Sequence, residues 1–160
     1  MDLLEEYQRF LVEKKQSSEN TVSSYMRDLG QYSKWLTGEG LTAERATQAD
    51  VDRYTKHLLS VGKSIPTVTR SLASLKSFYS FLLEQHIVTV NPAKGLVLEK
   101  VERKLPQILT SKEVDLFLEQ PDARDPKGCR DKAMLELLYA TGIRVSELIN
   151  LNLEHLNLSA

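Results

Sequence analysis

The sequence predicts an all-α chain, and three observations carry that expectation. Apolar residues recur at alternating three- and four-residue steps through every long segment. Ser or Thr stands just before most of these stripes, and glycine closes several of them. No segment alternates apolar and polar residues as a half-buried strand would.

Each element follows from local residues. Leu3, Leu4, Tyr7, Phe10 and Leu11 make one stripe over a short first helix. Ser17-Ser18 precedes a second helix whose stripe is Val22, Tyr25, Leu29, Tyr32 and Leu36, ended by Gly38 and Gly40. Thr47 with Asp50 three positions on resembles a capping box, with Asp in place of the usual Glu. It opens a third helix through Val51, Tyr54, Leu58 and Val61 that stops at Gly62. Ser64 caps a fourth, with Pro66 in the first turn where a missing N–H costs nothing, and its stripe is Val68, Leu72, Leu75, Tyr79 and Leu82. Asn91-Pro92 marks the exit from a domain expected over 1–93. The stretch 94–109 is charged, contains Pro106 and has no sustained period, so it reads as a linker. Over 110–160, Thr110 and Glu113 form a capping box for a helix through Val114, Phe117 and Leu118. A second helix is expected at 130–141, with Ala133, Met134, Leu137, Leu138 and Ala140, closed by Gly142. A shorter one begins near Val145.

Composition narrows the function. With 41% hydrophobic and 27% charged residues the chain is globular, and no apolar run approaches the ~20 residues of a membrane span. The acid-rich start is neither a signal nor a transit peptide, and a single cysteine, Cys129, excludes an internal disulfide, so the cytoplasm is the expected location. The three histidines lack metal-ligand pairing, and neither metal nor cofactor is expected. A net charge of −1 argues at first sight against nucleic acid. Yet no Asp or Glu lies between Arg53 and Leu83, where Arg53, Lys56, Lys63, Arg70 and Lys76 all fall.

The polar faces sharpen this. The second helix shows Asn20, Ser24, Arg27, Gln31 and Lys34 opposite its stripe; the fourth shows Thr67, Arg70, Ser74 and Ser77, flanked by Lys63, Thr69, Lys76 and Ser80. Hydroxyl residues are indifferent helix formers, so stability alone would favour Glu, Lys, Gln or Ala there. Short hydroxyl side chains allow close approach and donate to phosphates, while Arg and Lys neutralise them. Such a helix fits the major groove, about 12 Å wide. The candidate contacts to double-stranded DNA are Thr21, Ser24, Arg27, Lys63, Thr67, Arg70, Ser74 and Lys76. Two plainer readings stay open: a solvated face, or a serine-lined contact between helices.

Residues 139–148 read Tyr-Ala-Thr-Gly-Ile-Arg-Val-Ser-Glu-Leu. A helix ending at Gly142 and a new one starting after the turn would anchor Arg144 on a rigid element, where its planar fork can grip a phosphate bidentately. Glu147 in the first turn suits the helix dipole and can orient a nearby Arg. The competing reading is an ordinary surface Arg paired with Glu147.

This segment closely resembles the first signature box of the tyrosine site-specific recombinases, especially the Xer-type members. Ser18-x-x-Thr21-x-x-x-Tyr25-x-x-Asp28-Leu29, the run Arg70 to Tyr79, Asn91-Pro92, Leu105-Pro106 and Leu109-Thr110 fall where that family has them, so the resemblance covers essentially the whole chain. It implies a four-helix SAM-like core-binding domain, followed by the first helices of an α+β catalytic domain whose sheet is missing. It implies strand cleavage by a tyrosine to a 3′-phosphotyrosine, without ATP or metal. Its partners would be double-stranded DNA and other recombinase protomers, as a tetramer on DNA. Arg144 matches the first catalytic arginine, and Tyr139 looks like a core residue.

The family's other catalytic residues have no match. His57, His86 and His155 are followed at the third position by Ser60, Thr89 and Leu158, not Arg, and every tyrosine precedes Arg144. A truncated recombinase that alone neither cleaves nor joins DNA is therefore expected. The rival reading is a non-catalytic helical module that pairs with intact recombinase protomers; a plain helical bundle with an accidental box comes last.

Overall fold

The computed structural model describes residues 3–98 and 107–155, all of them helix, turn or coil with no strand among them. The chain divides into two compact units, Met1–Arg103 and Lys104–Ala160. Their described α-helices are α1 (Leu3–Arg9), α2 (Glu19–Gly38), α3 (Gln48–Ser60), α4 (Ile65–Glu84), α5 (Ser111–Leu118), α6 (Pro126–Thr141) and α7 (Val145–Ile149).

Helix boundaries in the first unit follow the capping chemistry. Ser18 accepts from the Thr21 N–H at the start of α2. Thr47 and Asp50 close a reciprocal capping box on α3, the Thr47 N–H donating to Asp50 Oδ2 at 2.8 Å. Gly62, between α3 and α4, has φ +82°, a backbone that side chains with a Cβ rarely adopt. Ser64 stands before α4 in an extended conformation, with Pro66 in the first turn, but its hydroxyl bonds that of Thr67 and makes no side-chain cap to the helix N–H groups. α1 departs from the expected single helix: it passes into a π-helical turn over Phe10–Lys14, where the Lys15 N–H reaches back to the Phe10 carbonyl. That turn holds Leu11 in the core and Phe10 against Phe81, ring centroids 5.0 Å apart.

The core of this unit gathers the stripes of all four helices, and its largest members are tyrosines. Tyr7, Tyr32, Tyr54 and Tyr79 are each at most 1% exposed. Tyr7 donates to Ser77 Oγ at 2.8 Å, which ties α1 to α4. The Tyr32 and Tyr79 hydroxyls lie 2.8 Å apart, and Tyr79 donates to the Ala43 carbonyl. With its only proton committed there, Tyr79 receives one from Tyr32. α2 and α4 are further joined through Asp28, whose carboxylate meets Arg70 and Ser74 of α4. Beyond α4, the Asn91 side chain donates to the Lys76 carbonyl and to Ser80 and accepts from the Ala93 N–H, folding the exit back onto the helix. Leu96 and Leu98, at the start of the expected linker 94–109, pack on this core, while 99–106 lie outside the described residues.

In the second unit the Thr110–Glu113 box opens α5 as expected. α6 begins at Pro126 instead of 130, because Asp125 accepts from the Lys127 N–H and Pro126 occupies the first turn. Gly128 lies in that turn for a steric reason: a Cβ there would meet the Asp122 carbonyl oxygen well inside van der Waals contact. α6 ends at Gly142, φ +65°, whose N–H bonds the Leu138 carbonyl. Buried residues are few in this unit. Tyr139, expected in a core, is 64% exposed, because no described element lies over it.

Two outcomes follow from these packing facts. Burial pushes the Tyr7, Tyr32 and Tyr54 phenols up to about 12 from 10.0. Because the folded values lie above the unfolded one, the associated stability is complete below pH 10 and is lost as pH rises through about 12. A shift of that size corresponds to about 3 kcal/mol, so ionising even one of these phenols costs a sizeable share of a domain's stability. Far-UV dichroism should therefore collapse cooperatively between pH 10 and 12, with a shallower fall in Tyr7→Phe; intact helicity at pH 12 would contradict this. Gly128→Ala should lower thermal stability by about 1–3 kcal/mol despite alanine's better helix propensity, and an unchanged or raised melting temperature would refute the clash.

Candidate nucleic-acid interface

The candidate interface lies on α2 and α4, which two polar contacts hold in register. Asp28 meets Ser74, and four residues further along α2, Tyr32 meets Tyr79, so the contact points advance in the same sense along both helices. Arg27 adjoins Asp28, and Arg70 bonds it, so the pair brings two guanidinium-bearing turns alongside each other.

The eight candidate contacts separate into two groups. Arg27 and Lys63 are exposed, and their side chains have no hydrogen-bond or ion-pair partner among the described residues. Thr21 and Ser24 are half-buried near the start of α2, the Thr21 hydroxyl sharing a 3.0 Å bond with Ser18. Thr67 is half-buried in the first turn of α4, its hydroxyl 2.9 Å from that of Ser64. Arg70 keeps 46% of its side chain exposed while one nitrogen donates to Asp28 Oδ1 at 2.9 Å. The remaining two are engaged inside the fold. Ser74 is fully buried and donates to Asp28 Oδ2 at 3.0 Å. Lys76 is half-buried and donates to the Leu96 carbonyl at 2.7 Å. Ser77, on the same expected face, is taken up by Tyr7 and Lys15. The serine row of α4 is thus open in its first two turns and a helix–helix contact after them, which is one of the plainer readings of that row.

The acid-free run in sequence is not acid-free in space. Arg53 pairs with Asp50 and Glu39, Lys56 with Asp52, and Arg70 with Asp28, all acids from outside the run. On α2 and the turn before α4, the exposed cations without an ion-paired acid among the described residues are Arg27, Lys34 and Lys63.

Asp28 carries more of this geometry than its place in a motif suggested. Its carboxylate is 3% exposed, between α2 and α4. The signal was readable: Asp28 lies three residues after Tyr25 and four before Tyr32, on the apolar face of α2, where an unpaired charge is untenable. Ser71 and Tyr54 stand beside it. Tyr54 Oη has no partner of hydrogen-bond geometry among the described residues; burial raises its pKa, Ser71 opposes that rise and the Asp28 charge adds to it.

Arg144, in the second unit, stands immediately before α7 with extended backbone angles. Its N–H donates to Glu147 Oε2 at 2.8 Å, capping the helix, and its guanidinium bonds Glu147 Oε1 at 3.0 Å. The side chain is 83% exposed, so a phosphate has free access to it. No group of three or more metal-ligating side chains occurs among the described residues, nor does any helix long and apolar enough to cross a membrane.

The chain is similar to several known proteins. Residues 4–86 match the phage integrase N-terminal SAM-like domain, and residues 107–160 match the phage integrase family. Tyrosine recombinase XerD of Chlorobaculum tepidum is 39% identical over 152 residues, covering 93% of this chain and 50% of that protein. XerD of Halalkalibacterium halodurans is 39% identical over 158 residues, covering 98% and 53%. XerD of Shewanella oneidensis is 40% identical over 141 residues, covering 88% and 47%. The chain thus spans about half the length of these relatives. The integrase of the transposon Tn1549, solved in complex with a circular-intermediate DNA, superposes with a TM-score of 0.68 at 20% identity, covering 98% of this chain and 50% of that one; the likeness is one of fold. A SAM-like helical domain followed by part of an integrase domain, at nearly 40% identity to several recombinases, places the chain in the phage integrase family of tyrosine recombinases.

Proposed function

We propose that the chain grips double-stranded DNA through the exposed face of α2 and the first two turns of α4, as the DNA-binding portion of a site-specific tyrosine recombinase. The observation that carries this reading is the pair of helices locked side by side by Asp28, with Arg27, Lys63 and the free part of Arg70 exposed to solvent. The relatives' name and the DNA in the Tn1549 integrase complex support it. Thr21, Ser24 and Thr67 are small enough to let the helices approach the backbone and donate to phosphate oxygens. Ser74 and Lys76 act from behind this surface, by holding α4 against α2 and against Leu96.

Arg144 belongs to the chemical step. Attack on a phosphodiester builds extra negative charge on the phosphorane oxygens, and a guanidinium presented beside them stabilises that charge. Glu147 orients it through the 3.0 Å ion pair. The cleaved bond's energy is kept in a phosphotyrosine ester and returned on rejoining, so no ATP is consumed. The 160 residues contain no His-x-x-Arg and no tyrosine after Arg144. Incubated alone with DNA, they are expected to form no covalent adduct; a protein–DNA species surviving denaturing electrophoresis would overturn that.

A second reading is favoured by Leu116, Phe117, Tyr139 and Ile149, all more than half exposed in the second unit. Through these exposed apolar side chains the chain would associate with intact recombinase protomers, and co-elution with a full-length recombinase in the absence of DNA is the measurement that favours it.

The DNA reading is tested by titrating a mixed-sequence duplex over a salt series. Log affinity should fall linearly with log salt, and Arg27→Ala or Lys63→Ala should each weaken binding and lower the slope by about one unit. Arg144→Ala should leave affinity nearly unchanged. A flat salt response, or no binding at low salt, would end this reading.

A further inference from the structure

The Asp28–Arg70 pair has an asymmetry that a purely structural ion pair does not need. Asp28 is 3% exposed and Arg70 46% exposed, so the anion lies inside the domain and the cation at its edge. Both carboxylate oxygens are committed: Oδ1 accepts from Arg70 at 2.9 Å and Oδ2 from Ser74 at 3.0 Å. Ser74 is itself fully buried and also reaches the Arg70 carbonyl at 3.3 Å, so the residue that steadies Asp28 is tied to the same turn of α4. The carboxylate therefore has little freedom, and neither has the guanidinium nitrogen it holds.

A buried ion pair is a poor stabiliser, because desolvation offsets most of the Coulomb attraction and apolar replacements often do as well. α2 and α4 already share the Tyr32–Tyr79 contact and the apolar stripes of both helices. What the pair supplies beyond packing is orientation. A free arginine loses much rotamer entropy when it engages a phosphate; one already held by a single nitrogen has lost most of it and retains its other N–H donors. Lysine, with a single ammonium, could not bond Asp28 and present a fixed planar edge outward at once.

Resting on the DNA reading above, we infer that Asp28 is a positioning residue for DNA binding. Its buried carboxylate, steadied by Ser74, pre-orients the Arg70 guanidinium so that the exposed remainder engages a backbone phosphate of duplex DNA. The sign of one substitution separates this from simple electrostatics. Asp28 cancels the charge of Arg70, so Asp28→Asn raises the net positive charge of the surface. If charge alone mattered, that variant would bind a polyanion more tightly; if orientation matters, it binds more weakly.

The experiment titrates the full chain and its variants against a mixed-sequence duplex over a salt series, with melting temperatures showing that each is folded at the assay temperature. Asp28→Asn should weaken binding about fivefold or more despite its added charge, and Arg70→Lys should do likewise. The double variant should bind no worse than the weaker single one, since both changes remove the same oriented contact. A folded Asp28→Asn that binds as tightly as the parent, or more tightly, overturns the proposal. If Asp28→Asn does not fold, Arg70→Lys and Ser74→Ala decide: weakening in both supports the positioning role, and unchanged affinity in either one overturns it. Failure of the underlying DNA reading has a different signature, namely salt-independent binding by the parent or indifference to Arg27→Ala and Lys63→Ala.

Discussion

A carboxylate removed from water must be given compensating donors or it will not stay charged, and Asp28 places that requirement at the centre of the first unit. α4 meets it with two residues one helical turn apart, Arg70 and Ser74. The choice of those two donors sets the register between α2 and α4. It also leaves Tyr32 facing Tyr79, and Tyr79 facing the Ala43 carbonyl on the connection to α3. The tyrosine-rich core is thus arranged around one charge, with the Tyr7, Tyr32 and Tyr79 hydroxyls each directed to a particular partner. Hydrophobic burial supplies most of the cohesion, but it is indifferent to a shift by one turn, whereas these polar contacts are not.

The same constraint shapes the surface. A row of Ser, Thr, Arg and Lys on α4 is uniform as sequence and divided in space: the early part faces solvent, and Ser74 with Ser77 is drawn into contacts with Asp28 and Tyr7. Positive charge behaves likewise. Arg53, which lies over the Trp35 ring, is matched by Asp50 and Glu39, and Lys56 by Asp52 on its own helix. The positive character of the α2–α4 face therefore rests on Arg27, Lys34 and Lys63 more than on the acid-free span as a whole.

The second unit presents a different balance. Its helices are well capped by Thr110, Asp125 and Gly142, yet Leu116, Phe117, Tyr139 and Ile149 remain open. α6 carries apolar residues around its circumference, a pattern suited to a helix enclosed on several sides. Arg144 is held by Glu147 alone, a surface pair of the kind worth about 1 kcal/mol or less. Local capping has formed the helices and placed the guanidinium, while the tight surroundings that would fix it for chemistry are not among the described residues.

Helix positions and most of their ends were legible from residues alone, since stripes, caps and left-handed glycines act within about five residues of chain. Thr47, Ser64, Thr110, Gly62 and Gly142 all stand where those rules put them. The π-helical turn at Phe10–Lys14 and the early start of α6 were less legible, the first because core packing outweighs ideal periodicity, the second because Asp125-Pro126 is a brief signal ahead of Gly128. Which polar side chains remain free for a ligand was decided only by the tertiary structure. Ser24 and Ser74 are alike in sequence context, but Ser74 meets a carboxylate 46 positions away, and only the packing of α2 on α4 brings the two together.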